Sequence, residues 1–469
     1  ALFFSIFESM IFLFNLLIKY ILLKICLQDW DIYSKIEIIN YRKKIMKIKD
    51  IKAIEILDSR GIPTISTEIE FWSGDKGKGE VPSGASTGET EVLELRDGDK
   101  NRYMGKGVLT AIENVNTTIK NAIIDKDFTS QKEFDDLLKE LDGTELKCKL
   151  GGNAILSASM AFCKATTNFL GLELYQYFGM IYWDEEYSLD KLKMPTPLIL
   201  VMEGGKHGNW ATDIQEYMIV PNMDRFKTFK EALRAGSEIF HSIHDVLDEM
   251  EYSTGVGLEG AYTPREIKSN EEAFEIIMKG IERAGYKPNE EITLALDVAS
   301  SEFFDKERNK YVLKSENKEL TPEEWSELQI SWYSKYPLFS IEDPMDQSAW
   351  EDWSKFNEMY GKKYQIVGDD LLTTNTKRIQ TGIEKKAMNS VLIKLNQIGT
   401  VTETLEAIRI TLENDMTAVI SHRGGETNDS MIADLVIGTP AQQSKFGGPD
   451  RGERLAKYNR LLEIEDSLK

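Results

Sequence analysis

Cysteine is scarce in this chain of 469 residues. The three cysteines, Cys26, Cys148 and Cys163, are odd in number and show no CxxC spacing. A disulfide framework needs paired cysteines and a zinc site needs clustered ligands, so both are disfavoured. The simplest interpretation is a reducing compartment, and we expect a cytoplasmic protein.

Positive charge is also in short supply. Lysine and arginine number 57 against 78 aspartates and glutamates, which gives a formal net charge of −21 at pH 7. Such a chain would be repelled by a phosphate backbone, so we expect no nucleic-acid partner. Hydrophobic residues make up 41% of the chain, which predicts a sizeable core and excludes a disordered protein. The length is about three times a typical domain of ~150 residues, so two domains are expected.

Residues 1–45 differ in composition from the rest. Ala1–Leu27 is rich in Phe, Ile and Leu but contains three charged residues, which weaken a transmembrane interpretation. A cleaved signal peptide would need a basic start and a small-residue cleavage site, and neither is present. Three interpretations stay open: a membrane or targeting segment, a soluble extension, or upstream sequence misassigned to a protein that begins at Met46. A membrane is an expected partner only under the first of these.

From Met46 onward the pattern predicts an α+β domain over residues 46–190. Lys47–Asp58 and Thr64–Phe71 are rich in alternating apolar residues on either side of a turn, which predicts a β-hairpin. Helical periodicity follows at Leu109–Ile124, Gln131–Leu141 and Asn153–Leu170. Strands followed by helices indicate an α+β unit.

In the second expected domain, residues 191–469, short apolar runs end on polar side chains. Five such runs close on Asp297, Glu342, Asp369, Lys394 and His422. The last four positions are 27, 25 and 28 residues apart, which suits a strand, a helix and two turns. The repeat predicts a (β/α)8 TIM-type barrel, and the fold class is therefore α/β. Such barrels keep their active sites where the carboxyl ends of the strands meet, so the five side chains should share one site.

Three of these five side chains are carboxylates. Asp297, Glu342 and Asp369 offer hard oxygen ligands without cysteine or clustered histidine, a set that suits Mg²⁺ better than zinc. Beside a divalent cation, Lys394 should have a lowered pKa and could act as a general base. A base together with metal ions suggests removal of a proton next to a carboxylate.

Segments in both expected domains closely resemble the enolase family from Met46 to Lys469. They are EILDSRG at Glu55–Gly61, VPSGASTG at Val81–Gly88, ELRDGDKNRYMGKGV at Glu94–Val108, SIEDPMDQ at Ser340–Gln347, IVGDDL at Ile366–Leu371, KLNQIGT at Lys394–Thr400, SHRGGET at Ser421–Thr427 and ERLAKYNRLLEIE at Glu453–Glu465. The resemblance implies a glycolytic hydro-lyase that interconverts 2-phosphoglycerate and phosphoenolpyruvate. It also implies a small phosphorylated substrate, two Mg²⁺ ions in each active site and a homodimer. The pairing of a lysine base with Mg²⁺ is a known property of the enolase superfamily.

The resemblance implies catalytic roles for four residues. Lys394 matches the base that removes the C2 proton of the substrate. Glu259 matches the acid that protonates the departing C3 hydroxyl, and Glu216 matches its carboxylate partner. His422 matches a further histidine of the active site.

It also implies metal ligands and substrate contacts. The first Mg²⁺ would be held by Asp297, Glu342 and Asp369. Ser86, in the mobile VPSGASTG loop, would help to bind the second Mg²⁺ and the substrate as the loop closes. The remaining substrate contacts are expected from His207, Gln215, Glu216, Arg423 and Lys445.

Three loops depart from the enolase pattern. Where the family has NGGSH, DEGG and SHRSGE, this chain has Glu203 with Lys206, Leu258 with Ala261, and Gly424. Glu203 and Lys206 could pair with each other, or Lys206 could contact the substrate phosphate in place of the hydroxyl lost at Gly424. Because no acid, base or metal ligand is replaced, we expect an active enzyme. Two alternatives stay open: an enolase-like protein that has lost activity and serves as a binding or structural module, and a related barrel enzyme that acts on sugar acids.

Overall fold

The computed structural model describes residues 44–85 and 88–468. The expectations for residues 1–43 and for Ser86 therefore lie outside the described residues. No helix in the described part of the chain has both the length and the apolar character that crossing a membrane requires.

An antiparallel sheet opens the described chain. Its strands lie in the order β3–β2–β1–β4 and span Met46–Leu57 (β1), Pro63–Phe71 (β2), Lys76–Glu80 (β3) and Asp127–Phe128 (β4). Buried and exposed side chains alternate along the first half of β1, as expected for a strand with one face on a core. In the turn between β1 and β2, Gly61 adopts a φ of 71°, which glycine tolerates without strain. The predicted hairpin is confirmed, with each strand beginning one residue earlier than expected.

Helices follow the first three strands of this sheet. They are Leu109–Asn114 (α1), which continues through a π turn at Val115–Ile119 into Lys120–Ile123 (α2), and then Gln131–Asp142 (α3), Gly152–Leu170 (α4) and Leu174–Trp183 (α5). Helix α4 is buried along most of its length and lies on β2 and β3. A Cβ on Gly77 of β3 would stand 2.0 Å from the backbone nitrogen of Ala165, so only glycine permits this approach. The predicted helices are all present.

A closed barrel of eight strands forms the larger part of the described residues. It begins with Thr196–Glu203 (β5), Glu216–Pro221 (β6) and Ile292–Asp297 (β7). A small antiparallel sheet of Phe304–Asp305 (β8), Lys310–Leu313 (β9) and Lys318–Leu320 (β10) follows. The barrel is completed by Leu338–Glu342 (β11), Gln365–Gly368 (β12), Ser390–Ile393 (β13), Thr417–Ser421 (β14) and Gln442–Lys445 (β15).

Further helices lie between these strands or follow the last of them. They are Met223–Phe226 (α6), Phe229–Glu249 (α7), Asn270–Arg283 (α8), Pro322–Lys335 (α9), Trp350–Tyr360 (α10), Thr376–Lys385 (α11), Leu395–Ile398 (α12), Val401–Glu413 (α13), Met431–Gly438 (α14) and Gly452–Ser467 (α15). The predicted TIM-type barrel and α/β class are confirmed. One feature differs from a simple βα repeat: β6 runs antiparallel to both of its neighbours, β5 and β7. Its first residue, rather than its last, therefore lies at the end of the barrel that holds the polar side chains.

Candidate active site

One small cavity collects most of the side chains that the sequence predicted. Its lining includes the predicted residues His207, Gln215, Glu216, Glu259, Asp297, Lys394, His422, Arg423 and Lys445, together with Ala85, Ser421 and Gly424. Glu216 reaches it from the start of β6, whereas Asp297 and Lys445 reach it from the ends of β7 and β15. The remaining predicted metal ligands, Glu342 and Asp369, contact the two lysines of this lining.

Lys445 binds three carboxylates at once. Its Nζ lies 2.8 Å from Glu342 Oε2, 3.0 Å from Asp297 Oδ2 and 3.2 Å from Glu216 Oε2. Burial opposes the charged ammonium, but these carboxylates outweigh it and raise the pKa of Lys445 well above its usual value. Lys445 is therefore a fixed positive charge in the cavity wall.

Lys394, the predicted base, forms an ion pair with Asp369. Its Nζ lies 2.5 Å from Asp369 Oδ2, and the lysine side chain is 11% exposed. Burial favours the neutral amine, yet the Asp369 carboxylate prevails and raises the pKa of Lys394. The expected lowering of this pKa is thus not produced by the protein's own groups. A lowered pKa of Lys394 would require additional positive charge beside the neighbouring carboxylates.

Glu259, the predicted acid, lies between two histidines. Its Oε1 is 3.5 Å from His207 Nδ1, and its Oε2 is 3.4 Å from His422 Nε2. Glu216 Oε1 also lies 3.8 Å from His207 Nδ1. Burial lowers the pKa of His422 to about 4, which keeps this ring neutral at physiological pH. The three predicted residues Glu216, Glu259 and His422 are therefore brought together as one group.

Glu203 lies beneath the backbone of the Glu259 loop. Its Oε1 accepts hydrogen bonds from the backbone N–H groups of Glu259, at 3.0 Å, and Ala261, at 2.9 Å. The carboxyl group is fully buried. The suggested pairing of Glu203 with Lys206 is wrong, because Lys206 Nζ instead lies 3.1 Å from Glu302 and its side chain is 46% exposed. The local chain reverses at Asn209 and Trp210, both with positive φ.

Arg423 is held by a residue that the sequence analysis missed. Its Nη1 donates to Glu91 Oε2 at 2.9 Å and its Nη2 donates to Glu91 Oε1 at 3.1 Å. Glu91 Oε1 also accepts from the backbone N–H of Gly88 and from the side chain of Gln397. Gln397 in turn donates to Asp369 Oδ1 at 2.8 Å. The only signal in the sequence was that Glu91 follows closely on the VPSGASTG segment.

The carboxylates of the site fit a divalent cation. Asp343, Asp369 and Asp370 present ligand atoms that all lie within 4.8 Å of one another, and of these only Asp369 belongs to the predicted trio. Asp343 accepts hydrogen bonds from the backbone N–H groups of Asp369 and Asp370, at 3.0 and 2.8 Å, and so orients this strand end. Among the described residues, the buried Glu342 Oε1 has no hydrogen-bond partner. An unpartnered carboxylate oxygen among several others is suited to Mg²⁺.

A loop from the first sheet covers this site. Ser83 and Gly425 exchange two backbone hydrogen bonds, of 2.7 and 2.9 Å. Arg60 supports the same loop, because its Nη2 donates to Ser83 Oγ at 2.9 Å and its Nη1 donates to the carbonyl of Gly84 at 3.0 Å. The two parts of the chain thus meet directly above the cavity.

Comparison with known families agrees with this architecture. Residues 191–469 match the family described as enolase, C-terminal TIM barrel domain, and residues 48–178 match enolase, N-terminal domain. The fold and the site define a lyase of the enolase superfamily. The chain belongs to the enolase family.

Proposed function

We propose that the protein is a phosphopyruvate hydratase, which converts 2-phosphoglycerate to phosphoenolpyruvate and water and catalyses the reverse reaction. One observation carries the proposal: Lys394 and Glu259 line the same cavity. An elimination of water needs a base at one carbon and an acid at the neighbouring hydroxyl, and an amine and a carboxyl group on separate loops can supply both.

In this proposal each residue has a defined task. Lys394, as the neutral amine, removes the proton from C2 of the substrate. Glu259, whose pKa is held well below its usual value in the free protein, takes up a proton before it donates one to the departing C3 hydroxyl, which leaves as water. Arg423 binds the substrate phosphate by charge-assisted hydrogen bonds, and the loop over the cavity excludes water during the reaction.

Mg²⁺ is part of the proposal. Asp297, Glu342 and Asp369 would hold the first ion, and the unpartnered oxygen of Glu342 is consistent with this role. When bound, the metal stabilises the negative charge that develops on the substrate carboxylate. The protein's own contribution is to hold the carboxylates, through Lys445 and the backbone contacts of Asp343, in fixed positions.

An assay of the full chain tests the proposal. Phosphoenolpyruvate formation from 2-phosphoglycerate should be observed with Mg²⁺, be lost on chelation and return when Mg²⁺ is added back. A folded protein that forms no phosphoenolpyruvate under these conditions would contradict the proposal and would favour a binding or structural role. Dehydration of a sugar acid, with no turnover of 2-phosphoglycerate, would favour the related barrel enzyme. We also propose a homodimer, which light scattering of the purified chain would test.

A further inference from the structure

Arg454, on the last helix α15, is a buried cation that contacts His422 and the backbone of the active-site loops. Its side chain is fully buried. Its Nη1 lies 2.7 Å from His422 Nδ1 and donates to the carbonyl of Arg423 at 2.5 Å. Its Nη2 donates to the carbonyls of Gly424, at 2.7 Å, and Leu258, at 3.2 Å. Neither the residue motifs nor the proposed mechanism assigns it a role.

The chemistry of this contact determines which nitrogen of His422 carries the proton. A guanidinium group has five N–H donors and no acceptor. The imidazole nitrogen that faces it must therefore offer a lone pair, so Nδ1 is unprotonated. In a neutral imidazole the proton then resides on Nε2.

The opposite side of the ring completes the argument. His422 Nε2 lies 3.4 Å from Glu259 Oε2, which has no hydrogen-bond partner among the described residues, so the carboxylate attracts an N–H at Nε2 by its charge and not by a formed hydrogen bond. In the other tautomer an N–H would face the guanidinium donors and a lone pair would face the carboxylate. Both contacts would then be repulsive, and in a fully buried site no solvent would screen them.

We propose that Arg454 is a positioning residue that fixes His422 as the Nε2–H tautomer and thereby orients Glu259. The effect on catalysis rests on the function proposed above, whereas the tautomer does not depend on it. Arg454 also holds the carbonyl of Leu258, the residue directly before Glu259. It therefore acts on the proposed acid both through the side chain of His422 and through the backbone.

The tautomer can be measured in the unaltered protein. The chain has only four histidines, so nitrogen-15 labelling of histidine gives few ring signals, and a His422→Gln variant identifies those of His422. We expect an unprotonated Nδ1 and a protonated Nε2 at neutral pH. A protonated Nδ1, or a ring that exchanges between the two tautomers, would overturn the proposal.

Variants test the consequence for catalysis. In Arg454→Lys the replacement can only donate, so the tautomer should persist. In Arg454→Gln the amide can turn its oxygen toward Nδ1, so the second tautomer should appear. We expect Arg454→Gln to lower kcat about 10- to 100-fold, as when a hydrogen bond to a charged group is lost. The exchange of the C2 proton should change little, because Lys394 lies outside the contact.

Arg460, on the same helix, provides the matched control. It forms ion pairs with Asp434 and Glu173, at 2.7 and 2.8 Å, and does not touch His422. Arg460→Gln should keep both kcat and the His422 signals of the wild-type protein. If Arg454→Gln lowers kcat while His422 keeps its wild-type tautomer, the role of Arg454 is structural and the proposal fails.

The outcomes separate this proposal from that of the overall function. If the wild-type protein shows the Nε2–H tautomer but no turnover of 2-phosphoglycerate, the proposed function is wrong and the tautomer assignment stands. If Arg454→Gln does not fold, the spectrum of the wild-type protein still decides the tautomer.

Discussion

Gly424 lies so close to Ala85 that a side chain on the glycine would clash with the alanine. A Cβ placed on Gly424 would stand 2.6 Å from the Cβ of Ala85. Ala85 belongs to the covering loop, and Gly424 follows the histidine and arginine of the site. The glycine that departs from the enolase pattern is therefore part of how this loop closes.

Substituting Gly424 should hinder closure of the loop. Overpacking costs about 1–3 kcal/mol, so we expect Gly424→Ser to lower kcat/KM by about 5- to 150-fold. Gly424→Ala should have a similar effect, because the clash begins at Cβ. Adding Ala85→Gly should recover most of the loss in a double-mutant cycle. Higher activity of Gly424→Ser alone would show that the missing hydroxyl matters more than the clash.

Lys206 should prove dispensable. Its ammonium pairs with Glu302 at 3.1 Å and its side chain is 46% exposed. Exposed ion pairs contribute about 0–1 kcal/mol, so Lys206→Ser should leave KM and kcat within about twofold of the wild-type values. Arg423→Lys serves as the contrasting variant and should raise KM. A tenfold rise of KM in Lys206→Ser would show that the lysine reaches the substrate phosphate.

An isotope-exchange experiment should distinguish the role of Lys394 from that of Glu259. Lys394→Ala should abolish exchange of the C2 proton of 2-phosphoglycerate with solvent, because no other proposed base acts at C2. Glu259→Gln should retain exchange while phosphoenolpyruvate formation is lost, because the acid acts after the base. Proton NMR in deuterated buffer follows both reactions. Equal exchange in the two variants would contradict the division of roles.

Glu203 should make the stability of the fold depend on pH. Burial, together with the charge of Glu259, raises the pKa of Glu203 from 4.5 to about 8. Between these values the folded state keeps a proton that the unfolded state has lost, so the free energy of unfolding falls as pH rises. Each pH unit in this interval contributes at most about 1.4 kcal/mol.

Thermal unfolding from pH 5 to 9 measures this effect. Glu203→Gln keeps the acceptor oxygen but cannot ionise, so its Tm should exceed that of the wild-type protein by an amount that grows up to about pH 8. Glu282→Gln, at an exposed position of α8, should follow the wild-type curve. A Tm difference for Glu203→Gln that is constant across this range would show that Glu203 does not titrate in it.

The fold could be predicted where the pattern is local. The helix at Asn153–Leu170 differs from α4 by a single residue, because its apolar periodicity is uninterrupted. The apolar runs that end at Asp297 and Lys394 are also local patterns, and they predicted the barrel and its cavity. The direction of β6 could not be predicted, because the apolar pattern of a short, fully buried strand does not depend on the direction in which the strand runs.

The long-range contacts that hold the site residues in place could not be predicted from the sequence. Glu91 binds Arg423 across 332 positions of the chain, and Arg454 reaches His422 from a helix rich in charged residues. Nothing in such a helix distinguishes a buried arginine from an exposed one. Lys206 shows the converse: it is adjacent to His207 in sequence, yet it does not line the cavity and its ammonium pairs with Glu302.

The pairing of β5 with β6 places residues of the active site, so activity depends on the register of these two strands. They pair Glu203 with Glu216, and the segment between them carries His207 and Gln215. Because side chains alternate along a strand, a slip of one residue would turn Glu216 out of the barrel while leaving the backbone pairing intact. The irregularity between Leu200 and Met202 fixes the register against such a slip. Activity of the refolded chain therefore reports on the register of this pair of strands as well as on the fold.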